Sequence, residues 1–112
     1  MTSIYKIQIK HLNEHSTLYG GQLLEWIDNY CFAKSESYKH NTSEVMVTKN
    51  IQCEFIKPAL LGEIVKLKII KETVGNTSVK FNFEVNTTTK KIAQGDITFV
   101  KLLDGKKASI KC

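Results

Sequence analysis

Apolar and polar residues alternate along most of this chain, and the period changes clearly only once. Val79, Phe81, Phe83 and Val85 alternate with Lys80, Asn82, Glu84 and Asn86, the period-2 pattern of an antiparallel strand with one dry and one wet face. Val45, Val47, Ile51, Cys53 and Phe55 keep alternate spacing around an interruption at Lys49, which predicts a long strand. Ile4 to Ile9, Ile64 to Thr73 and Ile92 to Leu103 read as further strands. Between the first and second strands the spacing becomes helical, from Gly21 to about Ser37, after a polar loop over His11 to Tyr19. Lys57-Pro58-Ala59-Leu60-Leu61-Gly62, Gly75-Asn76 and Thr87 to Lys91 read as turns, and Ser35 to Ser43 as a loop. Asp104-Gly105-Lys106-Lys107 ends the last strand, with a loose tail expected beyond it. One helix and a mostly antiparallel sheet of five to six strands predict an α+β fold in a single domain over residues 1–112. One helix covers only part of such a sheet, so self-association is expected.

The helix carries an anomaly. Leu24, Asp28, Cys31 and Ser35 recur at i, i+4, i+7 and i+11, flanked by Leu23 and Ile27, so the spacing predicts Asp28 in the middle of a buried face. An unpaired buried carboxylate is costly and must be partnered. Such groups are candidates for chemistry.

Composition narrows the function classes. The chain has 112 residues and a formal net charge of +5. All sixteen basic residues are lysines, spread along the chain. Arginine is the residue favoured for bidentate recognition of phosphates and guanine, so its absence argues against sequence-specific nucleic-acid binding. No apolar run reaches the roughly 20 residues of a membrane span, and Met1 to Lys6 lack the apolar core of a secretion signal. A cytoplasmic protein without membrane partners is expected. Cys31, Cys53 and Cys112 are an odd count without Cys-x-x-Cys spacing and are expected as reduced thiols. No metal-ligand cluster, phosphate-binding glycine loop or nucleophile elbow occurs, so no metal and no cofactor are expected.

Three blocks then resemble one family. Asn13, Ser16, Leu18, Tyr19, Gly20, Gly21, Leu23, Leu24, Ile27 and Asp28 follow a loop–glycine pair–helix signature. Phe55-Ile56-Lys57-Pro58 precedes Gly62-Glu63, and Gly75-Asn76-Thr77-Ser78 opens a strand. With the ending Ile97-Thr98-Phe99-Val100, this order resembles the hotdog-fold acyl-CoA thioesterases, above all the small cytoplasmic acyl-CoA hydrolases. The match runs over nearly the whole chain. It departs at Ser16, where the family has glycine; serine there is mildly strained if the position needs a positive φ.

The resemblance implies a long helix wrapped by the sheet, and active sites shared between two subunits of a dimer, with tetramers or hexamers as further assemblies. It implies acyl-CoA as substrate, its CoA moiety being part of the substrate rather than a cofactor. Asp28 would be the catalytic carboxylate, as general base or as nucleophile, with the general base favoured. The backbone N–H of Gly20 or Gly21 would serve as oxyanion donor at the helix N-terminus. Asn13 would position the water or the thioester carbonyl. Asn76, Thr77 and Ser78 would approach the pantetheine arm, and Lys57 beside Pro58 the nucleotide phosphates. Cys31 is expected as a packing thiol, and His11, His15 and His40 as bystanders. Tyr30, Phe32 and Trp26 are open between tunnel wall and helix core. Two other readings stay in view: a hotdog dehydratase or hydratase, which pairs a histidine with a carboxylate, and a non-catalytic acyl-CoA-binding module.

Overall fold

The computed structural model describes residues 2–111; Met1 and Cys112, and with Cys112 the expectation for its thiol, lie outside the described residues. Strand β1 (Thr2–Lys6) leads through a 3-10 turn (Ile9–His11) and a loop to helix α1 (Gly20–Ser35), which ends in a second 3-10 turn (Glu36–Tyr38). Then come β2 (Glu44–Phe55), β3 (Ile64–Val74), β4 (Ser78–Asn86), β5 (Lys91–Leu103) and a short β6 (Lys106–Lys107). All pairings are antiparallel, in the order β1-β3-β4-β5-β2, with β6 added to β5. This is one long helix against a curled antiparallel sheet, the hotdog arrangement. No helix among the described residues is long and apolar enough to cross a membrane.

The core forms where the helix meets the sheet. Leu23, Ile27 and Cys31 are buried with Val79, Phe81, Phe83, Val85, Ile97 and Phe99 from the two central strands. The interruption at Lys49 is a β-bulge: Thr48 pairs with Phe99 and Asn50 with Thr98, leaving Lys49 unmatched. The extra residue keeps Thr48 and Ile51, although three apart, on the helix-facing side.

Three expectations are corrected. The first strand stops at Lys6 rather than Ile9, because the Gln8 N–H is drawn onto His11 Nδ1 (3.0 Å) and the chain tightens into the 3-10 turn. Asp28 is not central to the buried face. The buried stripe is Leu23, Trp26, Ile27, Tyr30 and Cys31, and Asp28 lies on its half-buried flank. The tail is not loose. Asp104 and Gly105, both at positive φ, turn the chain back, as a two-residue hairpin requires. Ala108 N–H then donates to Lys101 O (2.9 Å) and Ile110 N–H to Asn76 O (2.8 Å), and the Ile110 side chain enters the core.

Lys101 is wholly buried, and its Nζ meets Tyr38 O (2.9 Å), His40 Nδ1 (3.1 Å) and a Glu44 carboxylate oxygen (3.5 Å). These contacts tie the turn after α1 to the start of β2, so His40 has a structural role. The His40 backbone N–H donates to Glu44 at 2.5 Å, and this bond, followed by the Lys101 ammonium, holds the Glu44 carboxyl below its ordinary range. A carboxyl whose pKa is lower in the folded state contributes stability above its unfolded pKa, about 4.3, and loses it as pH falls through the folded value. Thermal unfolding followed from pH 6 to pH 3 is expected to show a smaller acid-induced fall in Tm for Glu44→Gln than for wild type, from a lower starting Tm.

Candidate active site

The Asn13–Tyr19 loop brings the chain to the helix start. Asn13 Oδ1 accepts the N–H groups of His15 (2.9 Å) and Thr17 (3.2 Å), and its Nδ2 donates to Thr17 Oγ1 (2.9 Å). Ser16 N–H donates to Asn13 O, and Ser16 adopts φ 62°. The family's glycine position is therefore left-handed here and is held by the Asn13 side chain. In this structure Asn13 builds the loop.

Tyr19 is the N-cap of α1 and offers no side-chain cap. Its own N–H is taken by His11 O, and Leu23 N–H makes the first helical bond, to Tyr19 O. The N–H groups of Gly20, Gly21 and Gln22 fall in the first turn, where no helical acceptor exists. The helix dipole makes that end positive. A Cβ on Gly20 would meet the Phe55 ring at an ordinary 3.5 Å, whereas one on Gly21 would stand 2.5 Å from the Tyr19 ring, which would have to shift.

About 12 Å further along, eight residues at 1.5 Å each, Asp28 Oδ1 accepts a hydrogen bond from Thr48 Oγ1 (2.7 Å). Asp28, Thr48, Gly21, Leu24, Glu25 and Ile51 line a cleft of about 320 Å³ between α1 and β2. Thr48 carries no motif; its place depends on the Lys49 bulge. A second, apolar pocket of about 370 Å³ lies at the helix N-terminus, lined by Gly20, Leu18, Leu23, Ile92 and the Phe55–Ala59 segment.

Gly20, Lys57 and Pro58 thus meet in one pocket, and Gly21 and Asp28 in the next. Asn76, Thr77 and Ser78 do not join them within the chain. Ser78 pairs with Val100, which pairs with Val47 beside Thr48, so the hairpin stands level with Asp28 but two strands away. Val79 is buried, so alternation turns Ser78 to the sheet's other face. Carbonyl oxygens of Asn76 and Thr77 are taken by Ile110 and Lys101.

Trp26 stacks on Tyr5 (4.4 Å between ring centres) and is buried, as is Tyr30, so both are core; Phe32 is partly exposed. Burial, reinforced by Asp28, pushes the Cys31 thiol up to about 12, and burial pushes Cys53 up to about 11. Neither is a thiolate nucleophile near neutral pH. His11 packs edge-on against Trp26, His15 is exposed beside Glu14, and His40 belongs to the Lys101 cluster. None of these contacts brings a histidine to Asp28 within the described residues of one chain.

Solved structures repeat this fold. A 1,4-dihydroxy-2-naphthoyl-CoA thioesterase from Synechocystis superposes with a TM-score of 0.80 at 14% identity, over 96% of this chain and 87% of that one. An acyl-CoA hydrolase from Staphylococcus aureus, solved with butyryl coenzyme A, coenzyme A and coenzyme A disulfide, gives 0.80 at 24% identity, over 97% of this chain and 67% of that one. A hexameric thioesterase from Yersinia pestis gives 0.83 at 19% identity, over 96% and 91%. At these identities the likeness speaks for the fold alone. No curated protein matches the chain. The thioesterase superfamily model matches residues 15–93, from the Asn13–Tyr19 loop through the helix, the Asp28 cleft and the Phe55–Ala59 wall into β5. The chain belongs to the thioesterase superfamily.

Proposed function

We propose that the protein is a cytoplasmic acyl-CoA thioesterase, hydrolysing an acyl-CoA to a carboxylic acid and CoA with no cofactor. The observation that carries this reading is Asp28, held by Thr48 in a cleft beside a helix N-terminus whose first N–H groups have no helical acceptor. The thioester carbonyl accepts from the N–H of Gly20 or Gly21. Asp28 takes a proton from a water as that water attacks the carbonyl carbon, and the oxyanion forms against the N–H groups. Collapse of the tetrahedral species breaks the C–S bond. The CoA thiolate leaves, and the proton held by Asp28 returns to sulfur or to solvent. Thiolate is a good leaving group, so one carboxylate and one oxyanion site suffice.

The helix N–H groups point along the axis away from Asp28, so one chain does not aim both at a single carbonyl. A second copy resolves this. Strand β2 is a sheet edge of twelve residues, and a long unpaired edge is stabilised by pairing. Pairing two such edges about a two-fold axis perpendicular to the strand runs them antiparallel. With the axis between Ile51 and Gln52, Thr48 of one strand faces Phe55 of the other, which would bring Asp28 of one subunit towards the glycine pair of its partner. The Yersinia pestis thioesterase is a hexamer, so a dimer is proposed as the minimal unit of a similar assembly. In it, Asn76, Thr77 and Ser78, with Lys57 and Pro58, are the proposed contacts for the CoA arm.

The direct test is CoA release from short, medium, long and aromatic acyl-CoAs; no release above background from any of them overturns the reading. The same assay examines Thr48. Thr48→Val is expected to lower kcat about 10-fold, the weight of one hydrogen bond to a charged group, with a smaller change in KM, and Thr48→Ser to restore most of the rate. Equal losses in Thr48→Val and Thr48→Ser would assign Thr48 to packing instead.

A further inference from the structure

The cleft that holds Asp28 and the apolar pocket at the helix N-terminus adjoin along α1. Gly21 lines the first and Gly20 the second. On the β2 side Ile51 lines the first and Phe55 the second. Phe55 is 53% exposed, yet its ring rests on Gly20, with Cζ 3.5 Å and Cε1 3.7 Å from where a Cβ would stand. An aromatic ring therefore stands at the boundary between the two spaces, beside the N–H groups of the first helical turn. The pocket behind it is lined by Leu18, Leu23, Ile92 and Ala59, with Lys57 the one charged residue in its wall.

We infer that this pocket receives the acyl chain, and that Phe55 is the residue that sets which acyl groups it admits. The inference rests on the acyl-CoA reading. Its lining is mostly apolar, which suits a hydrocarbon chain better than the amides of a pantetheine arm, and leaves Lys57 and Pro58 of its wall for the CoA arm where the chain enters. Its volume, near the lower end for ligand pockets, favours short to medium chains over long ones. Phe55 is suited to the selecting role because its ring lines the pocket beside Gly20, in the first turn of α1. Trimming the ring would lengthen the pocket along α1 towards the Asp28 cleft.

The experiment is a saturated acyl-CoA series of increasing chain length, assayed by CoA release with wild type, Phe55→Ala and Phe55→Trp, circular dichroism confirming the fold of each. Phe55→Ala is expected to move the optimum of kcat/KM to chains at least two carbons longer, and to change the long-to-short ratio by about 10-fold or more, the discrimination typical of a methylene in an apolar pocket. Phe55→Trp is expected to move the optimum the other way. An unshifted profile in both variants, or a loss uniform over all lengths, overturns the inference. Binding of non-hydrolysable thioether analogues of the same series, read by calorimetry, separates this from the function proposed above. If wild type hydrolyses none of the esters, the thioesterase reading fails. A length-dependent shift in Kd for Phe55→Ala still supports the pocket assignment, and an unshifted Kd series overturns it.

Discussion

Replacing Asp28 with asparagine is expected to lower kcat for acyl-CoA hydrolysis by about 1,000-fold, within the range that a positioned general base contributes, with KM nearly unchanged. The amide keeps the shape of the carboxylate and can still accept from Thr48 Oγ1, the bond that holds Asp28 in the folded protein. Fold and assembly should therefore survive. Cys31, one turn further along the helix, is pushed up to about 12 by burial and cannot substitute as a nucleophile. The measurement is thiol release from matched acyl-CoAs, with circular dichroism and sedimentation as controls. Equal rates in both proteins would leave hydrolysis in place and remove Asp28 from it. No turnover in either protein, with acyl-CoA still bound, would favour the non-catalytic binding module.

The largest effect on stability is expected from Gly95→Ala. Gly95 lies inside β5, paired with Phe83 on one side and Cys53 on the other. A Cβ there would overlap the Gln52 carbonyl oxygen and stand 2.9 Å from its carbon and 3.0 Å from Cys53 Cα. These are backbone atoms of the neighbouring strand, so no rotamer change relieves the clash, and β5 and β2 must part locally. The expected cost is about 3 kcal/mol or more, a fall in Tm of about 15 °C for a chain of this size. Gly62→Ala is the contrast: Gly62 has φ +85° and nothing within 4 Å of an added Cβ, so only backbone strain of about 1 kcal/mol applies. Thermal unfolding of the two variants beside wild type checks the order. Comparable small losses would mean that β2 yields at Gln52 without resistance.

Much of the fold was legible in the residues because its signals are local. Period-2 alternation marks β4 almost to its ends and β2 on either side of Lys49, since each residue's side follows from its neighbours alone. The Gly20-Gly21 pair and the helical spacing after it marked α1. The Asn13-to-Asp28 block named the glycine pair and the carboxylate that line the pockets.

Failures came where distant residues decide. Spacing alone puts Asp28 at the centre of the buried face, because periodicity gives the width of a stripe but not its rotation against the sheet. Trp26, stacked on Tyr5, lies on the buried side of the helix, and Asp28 emerges on the flank. Lys49 broke the alternation of β2, but only pairing with Thr98 and Phe99 made it a bulge, and only the bulge put Thr48 on Asp28. Lys101 looked like any other surface lysine; its burial depends on Glu44, His40 and Tyr38, more than fifty residues away in the chain. The tail reads as polar and loose, yet Ile110 finds Asn76 across the end of the sheet.

By itself, then, the sequence determined the order of elements, the antiparallel class and the identity of the glycines and the carboxylate, because those depend on residue type and short-range spacing. Tertiary structure alone decided which way Asp28 faces, what holds it, and that the Phe55 ring lies on Gly20 between two pockets, because side chains far apart in sequence meet only once the sheet has closed on the helix.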